Sequence, residues 1–389
     1  MVKYNRLLNI ELPEKQSAFL WGARKTGKST YLEKNFPHSV YYDLLKSDLY
    51  LRYSKQPSLL REEILALTDA ELASPIIIDE IQKIPLLLDE IHWLIEHTNA
   101  RFILCGSSAR KLKKHAANLL GGRAWRYSFF PLVYKEVFDF DLIKALNTGL
   151  IPSHYLSKNP QKSLQSYIED YLIQEIQMEG LARNLPLFAR FLDVVGHSNG
   201  ELLNFTNIAR DCAIDAKTVK NYYEVLVDTL LGYFIPPFTK KIKRETIQAT
   251  SKFYLFDVGL AQTLAKRTIQ VLKGSEAGKA FEHFILMELI AYKEIANKNF
   301  DIAFWRTKTG LEVDFILNQG EVAIEVKISD HVAMIDAKGL VAFQEEHQSK
   351  KNYVVSMDLR KRKIALKNGE ILILPYKTFL DMLWAGKIV

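Results

Sequence analysis

The residues best suited to chemistry fall into three groups. The first is Gly22-Ala23-Arg24-Lys25-Thr26-Gly27-Lys28-Ser29, followed by Thr30. Gly22 and Gly27 stand five apart and a Lys-Ser pair follows at once, the spacing of a phosphate-binding loop. A chain that wraps a polyphosphate with N–H groups needs glycine where it turns sharply and approaches closely. A helix starting near Gly27 would aim its positive end at the phosphates of ATP. Lys28 would reach the β- and γ-phosphates, and the Ser29 hydroxyl would ligate Mg²⁺. The second group closes Pro75-Ile76-Ile77-Ile78-Asp79-Glu80. Isoleucines running into two acids describe a buried parallel strand with carboxylates at its C-terminal tip, where open α/β sheets bind ligands. Asp79 would hold the Mg²⁺ through water, and Glu80 would orient and deprotonate the attacking water. The third group is Asp314, Glu325 and Lys327. Glu325 and Lys327 share one face of a strand, and the neighbouring strand presents Asp314. Carboxylates gripping Mg²⁺ beside a lysine suit phosphodiester hydrolysis. A charge cluster on an amphipathic hairpin is the plainer alternative.

These groups need elements to hold them. Ala18 to Trp21 reads as a buried strand before the phosphate loop, and Ser29 to Asn35 as the helix after it. Residues 1–16 read as a lead-in, one helix lying on the nucleotide site. Ser39 to Leu44 reads as a strand, 46–72 as helix broken at Pro57, and Leu86 to Thr98 as helix. Phe102 to Cys105 is a further buried strand ending in Gly106-Ser107-Ser108, and Trp125 to Phe130 is a fifth. Strands alternating with helices make a parallel sheet covered on both faces. Ser107, with Ser108 second, would touch the γ-phosphate or the lytic water from its strand tip. The basic run Ala109 to Lys114 is a solvated helix face or a nucleic-acid contact.

The phosphate loop, the Ile-Ile-Ile-Asp-Glu strand, Gly106-Ser107-Ser108-Ala109-Arg110-Lys111-Leu112 and the Gly122-Arg123 before an aromatic strand and Pro131-Leu132 resemble the prokaryotic AAA-type ATPases. More narrowly, the chain is similar to the subgroup that joins this ATPase to a C-terminal nuclease-like domain. The resemblance implies hydrolysis completed by an arginine from a neighbouring subunit, hence a homo-oligomer, a ring. Arg123 best matches such a finger and Arg126 is second; a guanidinium fork neutralises charge spread over the γ-phosphoryl oxygens. A structural arginine paired to a local acid is the alternative.

Residues 141–200 read as a helical linker, with Ser153 to Lys162 as its loosest part and a helix from Ser166 to Gly180. Residues 201–265 read as a winged helix. Asn207 to Ile214 and Asp215 to Tyr222 have helix-turn-helix spacing, with Asp215 an N-cap. In a DNA reader Lys217, Lys220 and Asn221 would face phosphates or bases. Thr239 to Arg244, carrying Lys240, Lys241, Lys243 and Arg244, reads as a wing strand, with Ser251 to Asp257 its return strand. A packing-only role is the alternative. Residues 266–389 open with a long apolar helix from Phe281, then strands at 302–306, 311–317 and 322–327. They resemble the PD-(D/E)XK nuclease core, Glu282 matching the acid of its first helix and Gln344 sitting near the site. No proline precedes Asp314, a departure in one of that pattern's looser parts. Such a fold also persists for DNA binding without cleavage.

The expected fold is therefore α/β, in four parts: a P-loop ATPase with a parallel sheet (1–140), a helical linker, a winged helix and an α/β nuclease-like domain. Among 389 residues, 48% are hydrophobic and 25% charged, which excludes a disordered chain. The apolar runs fall short of a membrane span, the N-terminus lacks an apolar signal core, and Cys105 and Cys212 are too few for a disulfide framework. The expected place is the cytoplasm, without membrane contact. A net charge of +7 permits nucleic-acid binding without showing it. The leading expectation is an ATP-driven DNA-processing protein that binds or remodels DNA, branched forms included, with Mg²⁺ at both sites. The alternatives are a nucleotide-dependent assembly switch of a defence or regulatory system, and a DNA-binding regulator with an inert nuclease fold.

Overall fold

The computed structural model describes residues 4–108, 120–172, 184–239, 250–367 and 369–389. The chain forms two compact units. One runs to Leu132 and includes Asp228–Leu230; the other comprises Val133–Val227 and Leu231–Val389.

The first unit is built on a five-stranded sheet of β1 Ser17–Trp21, β2 Tyr41–Asp43, β3 Ile76–Asp79, β4 Phe102–Gly106 and β5 Ala124–Ser128, in the order β2-β3-β4-β1-β5. Every pairing is parallel. β1, β3 and β4 are buried along their whole length, as their unbroken apolar runs require. Side-chain alternation divides them between two cores. Phe19, Ile76, Ile78, Phe102 and Leu104 pack with Ile91 and Leu94 on one face. Ala18, Leu20, Ile77, Ile103 and Cys105 pack with Tyr31 and Leu32 on the other. The helices are α1 Lys28–Asn35, α2 Ser47–Lys55, α3 Ser58–Leu65, α4 Asp69–Leu72 and α5 Leu87–His97.

Residues 4–16 are not the helix expected of the lead-in. Leu8 and Ile10 enter the second core two positions apart, an extended chain's period. Arg6 anchors the segment: its guanidinium lies 4.1 Å from the Phe129 ring centre and donates to the carbonyls of Thr26, Phe130 and Pro131.

The second unit begins with α6 Leu142–Thr148, α7 Pro152–Tyr155 and α8 Pro160–Ser166. The stretch expected as a loose linker is thus mostly helical. Pro152 and Pro160 start helices, where a missing N–H costs nothing, and His154, Tyr155 and Leu164 are buried. A π-helical turn at Tyr167–Leu172 ends that run, and residues 173–183 lie outside the described residues. α9 Leu185–His197 precedes α10 Phe205–Cys212 and α11 Ala216–Asp228, the two helices at the positions expected of a helix-turn-helix. Asp215 caps α11, accepting from Thr218 N at 2.9 Å. Val219, Tyr222 and Leu226 are buried, Tyr222 against the rings of Phe188 and Phe191.

β6 Gly232–Ile235 and β7 Lys252–Leu255 then form an antiparallel hairpin. The return strand, expected opposite Thr239–Arg244, pairs among the described residues with β6, ahead of Pro236. Lys240, Lys241, Lys243 and Arg244 lie outside the described residues, as does the basic run from Ala109 to Lys114. After α12 Val258–Leu264 and α13 Gly274–Ile295 comes a six-stranded sheet. Its strands are β8 Ile302–Arg306, β9 Glu312–Leu317, β10 Val322–Lys327, β11 Lys351–Ser356, β12 Arg362–Leu366 and β13 Gly369–Pro375, in the order β12-β13-β11-β10-β9-β8. β10, β11 and β13 run parallel. α14 Lys338–His347 and α15 Tyr376–Trp384 complete the unit. Residues 236–238 run alongside β8: Phe304 N donates to Pro236 O, and Phe238 N to Phe304 O. The hairpin region and the six-stranded sheet therefore share backbone hydrogen bonds. Among the described residues no helix is long and apolar enough to cross a membrane.

Candidate functional site

The phosphate loop leaves β1 and enters α1. Gly27, at φ 97°, takes the left-handed turn that a side chain resists. Gly22 is required by contact, since a Cβ there would stand 2.4 Å from Phe129 O. Thr26 Oγ1 ties the loop to Ala23 O at 2.7 Å. The buried Lys28 ammonium donates to Gly22 O at 2.7 Å and Ala23 O at 3.0 Å. Lys25, Ser29 and Thr30 are exposed and Arg24 is half-buried.

The β3 tip lies beside this loop. Ser29 Oγ donates to Asp79 Oδ2 at 2.8 Å, and Tyr41 OH donates to the same oxygen at 2.6 Å. Burial, with Asp79 adding to it, pushes the Tyr41 phenol far up, so it stays a donor. Glu80 has left-handed backbone angles, φ 58° and ψ 41°, a non-glycine conformation that costs about 1–3 kcal/mol and concentrates at functional sites. Ser107 Oγ donates to Glu80 Oε2 at 3.2 Å, and Gln82 Nε2 donates both to that oxygen and to Ser107 Oγ, the latter at 3.0 Å. Arg24 Nη2 stands 3.9 Å from Glu80 Oε2 and its Nε 3.5 Å from Ser107 Oγ. Gly106 makes room for Gln82, whose Oε1 would be 2.5 Å from a Cβ there.

The predicted Lys28, Ser29, Asp79, Glu80 and Ser107 are thus brought together. Gln82 and Tyr41 were missed. Gln82 carried a signal, its position two residues after Glu80; Tyr41 read only as a strand former. Ser108 is buried beside Ser107. Arg123 is paired with Glu96 of α5, both about 40% exposed, the local ion pair weighed as its alternative role. Arg126 is exposed on β5, the sheet's edge. Cys105 is buried, and burial holds its thiol well above its usual range.

The acidic cluster sits in the second unit. Asp314 Oδ2 accepts from Val326 N at 2.8 Å, which fixes it against β10. Lys327 Nζ donates to Glu325 Oε1, while Glu325 Oε2 is buried without a hydrogen-bond partner. Burial, then Glu325 and Glu282, raise Asp314 well above the carboxylate range against the pull of Lys252 and Lys327. Burial pushes Glu325 up to about 7 although Lys327 pulls it down. Burial would lower Lys327, but Glu325 and Asp314 hold its ammonium above the usual value. Glu282, on α13, accepts from Lys252 Nζ at 3.2 Å and from Tyr254 OH. Lys252 also pairs with Glu312 at 2.6 Å. Sequence reading missed Lys252, Tyr254 and Glu312. As metal donors the residues fit in part: Asp314 and the open Glu325 oxygen have the right chemistry, but Glu282 Oε1 is taken. Among the described residues no three His, Cys, Asp or Glu side chains converge as a metal-binding group. Gln344 accepts from Ser349 and Asn352. Lys217, Lys220 and Asn221 are exposed on α11.

Residues 14–138 match a family model described as an AAA domain. Residues 139–270 and 277–379 match two described as domains of unknown function, DUF8612 and DUF4143. An uncharacterized protein of Mycobacterium tuberculosis is 24% identical over 66% of this chain and 58% of its own length. The chain thus spans little more than half of that relative. An uncharacterized protein of Methanocaldococcus jannaschii is 23% identical over 80% of this chain and 74% of its own. Two solved structures overlap more faintly. The Aeropyrum pernix Orc1 protein in complex with DNA has a TM-score of 0.25 at 13% identity, over 66% of this chain and 87% of that one. A Pyrococcus horikoshii signal-transduction ATPase with a tetratricopeptide-repeat sensor has 0.20 at 12%, over 73% and 46%. Overlaps this small carry no functional weight. The AAA match, the phosphate loop and the parallel sheet give the N-terminal region the fold of an AAA-type P-loop domain.

Proposed function

We propose that the chain is a Mg²⁺-dependent ATPase that does work on DNA as a homo-oligomeric ring. The observation that carries the hydrolytic half is the Glu80–Gln82–Ser107 triangle beside a phosphate loop whose Ser29 is already bonded to Asp79. Ser29 and Asp79 would hold Mg²⁺, which when bound neutralises charge between the β- and γ-phosphates. Lys28, now resting on two carbonyls, exchanges them for phosphate oxygens. Glu80, aimed by Gln82 and Ser107, accepts the proton of the attacking water. Ser107 senses the γ-phosphate from its strand tip. Arg123 reaches a neighbouring subunit's site after leaving Glu96.

The DNA half is supported by the exposed Lys217, Lys220 and Asn221 on the second helix of a helix-turn-helix. Lys240, Lys241, Lys243 and Arg244 would add contacts from the wing. The six-stranded sheet with Asp314, Glu325 and Lys327 is read as a PD-(D/E)XK nuclease-like domain. The test is the steady-state ATPase rate with and without duplex and branched DNA across a salt series. Multiple-turnover hydrolysis should be stimulated by DNA. Replacing Lys217 and Lys220 by alanine should reduce the log–log salt slope of binding by up to about two units. A rate unmoved by DNA, with nucleotide retained after one turnover, would leave an assembly switch in place of a motor.

A further inference from the structure

The acidic cluster already contains a cation, and it comes from outside the nuclease-like strands. Lys252 opens β7, the second strand of the hairpin after the helix-turn-helix. Its side chain is 5% exposed. Its ammonium contacts Glu282 at 3.2 Å and Glu312 at 2.6 Å and lies 5.4 Å from the Phe304 ring centre. Tyr254, two residues on and so on the same strand face, donates to the same Glu282 oxygen. Glu312 is further engaged by Arg306 at 3.4 Å, and Lys327 takes one oxygen of Glu325. The remaining oxygen of Glu325, whose side chain is 7% exposed, has no hydrogen-bond partner. A buried carboxylate oxygen without a donor is costly and is completed most readily by a cation.

We propose that Lys252 is a positioning residue which holds Glu282 as an internal cation and competes with a divalent metal for the acidic cluster. The inference rests on the nuclease-like reading of that cluster. It makes metal binding there conditional on the hairpin strand: while β7 keeps Lys252 and Tyr254 on Glu282 Oε1, that oxygen and its share of the negative charge are withheld from a metal held by Asp314 and Glu325. Mg²⁺ and Mn²⁺ take oxygen donors and prize carboxylate charge, so releasing Glu282 should raise their affinity. A hydrogen bond to a charged group contributes about 1.5–3 kcal/mol, which corresponds to about tenfold to a hundredfold in affinity.

The experiment is Mn²⁺ titration of the full, nucleotide-free chain followed by electron paramagnetic resonance, with Asp314→Asn as the blank for other Mn²⁺ sites. Lys252→Met should bind Mn²⁺ at the Asp314-dependent site at least about tenfold tighter than wild type. Its thermal midpoint, lowered in EDTA, should recover with Mn²⁺, while that of wild type barely moves. Tyr254→Phe, a milder change, should tighten binding several-fold and reports independently if Lys252→Met does not fold. Wild type binding as tightly as both variants, or as Tyr254→Phe where Lys252→Met is insoluble, overturns the role of Lys252 and leaves the nuclease-like reading intact. No Asp314-dependent Mn²⁺ binding in any of them overturns the nuclease-like reading itself.

Discussion

The two acidic regions contain the same ingredients, carboxylates and lysines, yet hold them differently. In the nucleotide site the Lys28 ammonium rests on the carbonyls of Gly22 and Ala23, and Glu80 is steadied by the neutral Gln82 and Ser107. In the acidic cluster of the second unit Lys252 and Lys327 rest on carboxylates. A carbonyl does not cancel a positive charge, so Lys28 remains available to phosphate, whose charge-assisted hydrogen bonds are the stronger ones. A carboxylate does cancel it, so the second cluster is largely satisfied within itself. The partner of each charge, rather than the inventory of charges, separates a site open to an anion from one that is closed.

The sharpest way to break this contrast is at Arg123. If it acts in a neighbouring subunit, Arg123→Ala should lower turnover by about 10³-fold or more, with ATP affinity within a few-fold, because its charge is needed in the transition state. Glu96→Gln removes only the resting partner and should leave turnover near wild type or above it. Equal, modest losses in both variants would return Arg123 to a structural pair. Glu80→Gln comes next: turnover should fall about 10²–10⁴-fold while ATP stays bound. Hydrolysis at the wild-type rate would remove Glu80 from the mechanism. Gln82→Ala should cost less, about tenfold, since it loses a positioning hydrogen bond of about 1–1.5 kcal/mol. An unchanged rate would make Gln82 mere packing.

The first unit was legible because its signals are local. The phosphate loop is contiguous, and β3 and β4 are continuous apolar runs that carry Asp79 and Ser107 at their tips. Gln82 escaped because its role depends on Glu80 turning left-handed, which no residue type announces. The lead-in, expected as a helix, is extended because Leu8, Ile10 and Leu12 alternate with the period of a strand. In the second unit Asp314, Glu325 and Lys327 were visible because adjacent strands close over a short turn at Gly320. Lys252 was invisible: it stands 30 positions from Glu282 in the chain and is held on the antiparallel β6–β7 hairpin opposite Ile235. Among the described residues the return strand meets β6, with Tyr233 opposite Tyr254 and Phe234 opposite Phe253.

A further expected effect is one of pH on stability rather than on rate, and it probes the packing behind the acidic cluster. His283 follows Glu282 on α13 but points into the interior. Its Nε2 faces Leu255 O at 2.6 Å and its Nδ1 faces Asn199 Nδ2 at 3.1 Å, so the ring donates to the carbonyl and accepts from the amide as a neutral imidazole. Burial lowers it from 6.5 to about 4 against the pull of Leu255 O. Above pH 6.5 neither state is charged and His283 gives no pH dependence. Below it the unfolded chain takes up a proton that the folded chain refuses, so stability falls as pH drops from 6.5 to about 4, by about 3 kcal/mol at the lower end. Buried carboxylates nearby work in the opposite sense. Burial raises Asp257 to about 6 and Glu288 to about 7, so the folded chain holds their protons more firmly and gains stability as pH falls through those values. The wild-type profile mixes both signs, and the difference from His283→Gln isolates one. Denaturant midpoints of the two proteins should converge as pH falls from 7 to 4, because the glutamine variant has nothing at that position to titrate. Midpoints that stay parallel across that range would mean that His283 is not held neutral, and that its bonds to Leu255 and Asn199 do not fix β7 against α13.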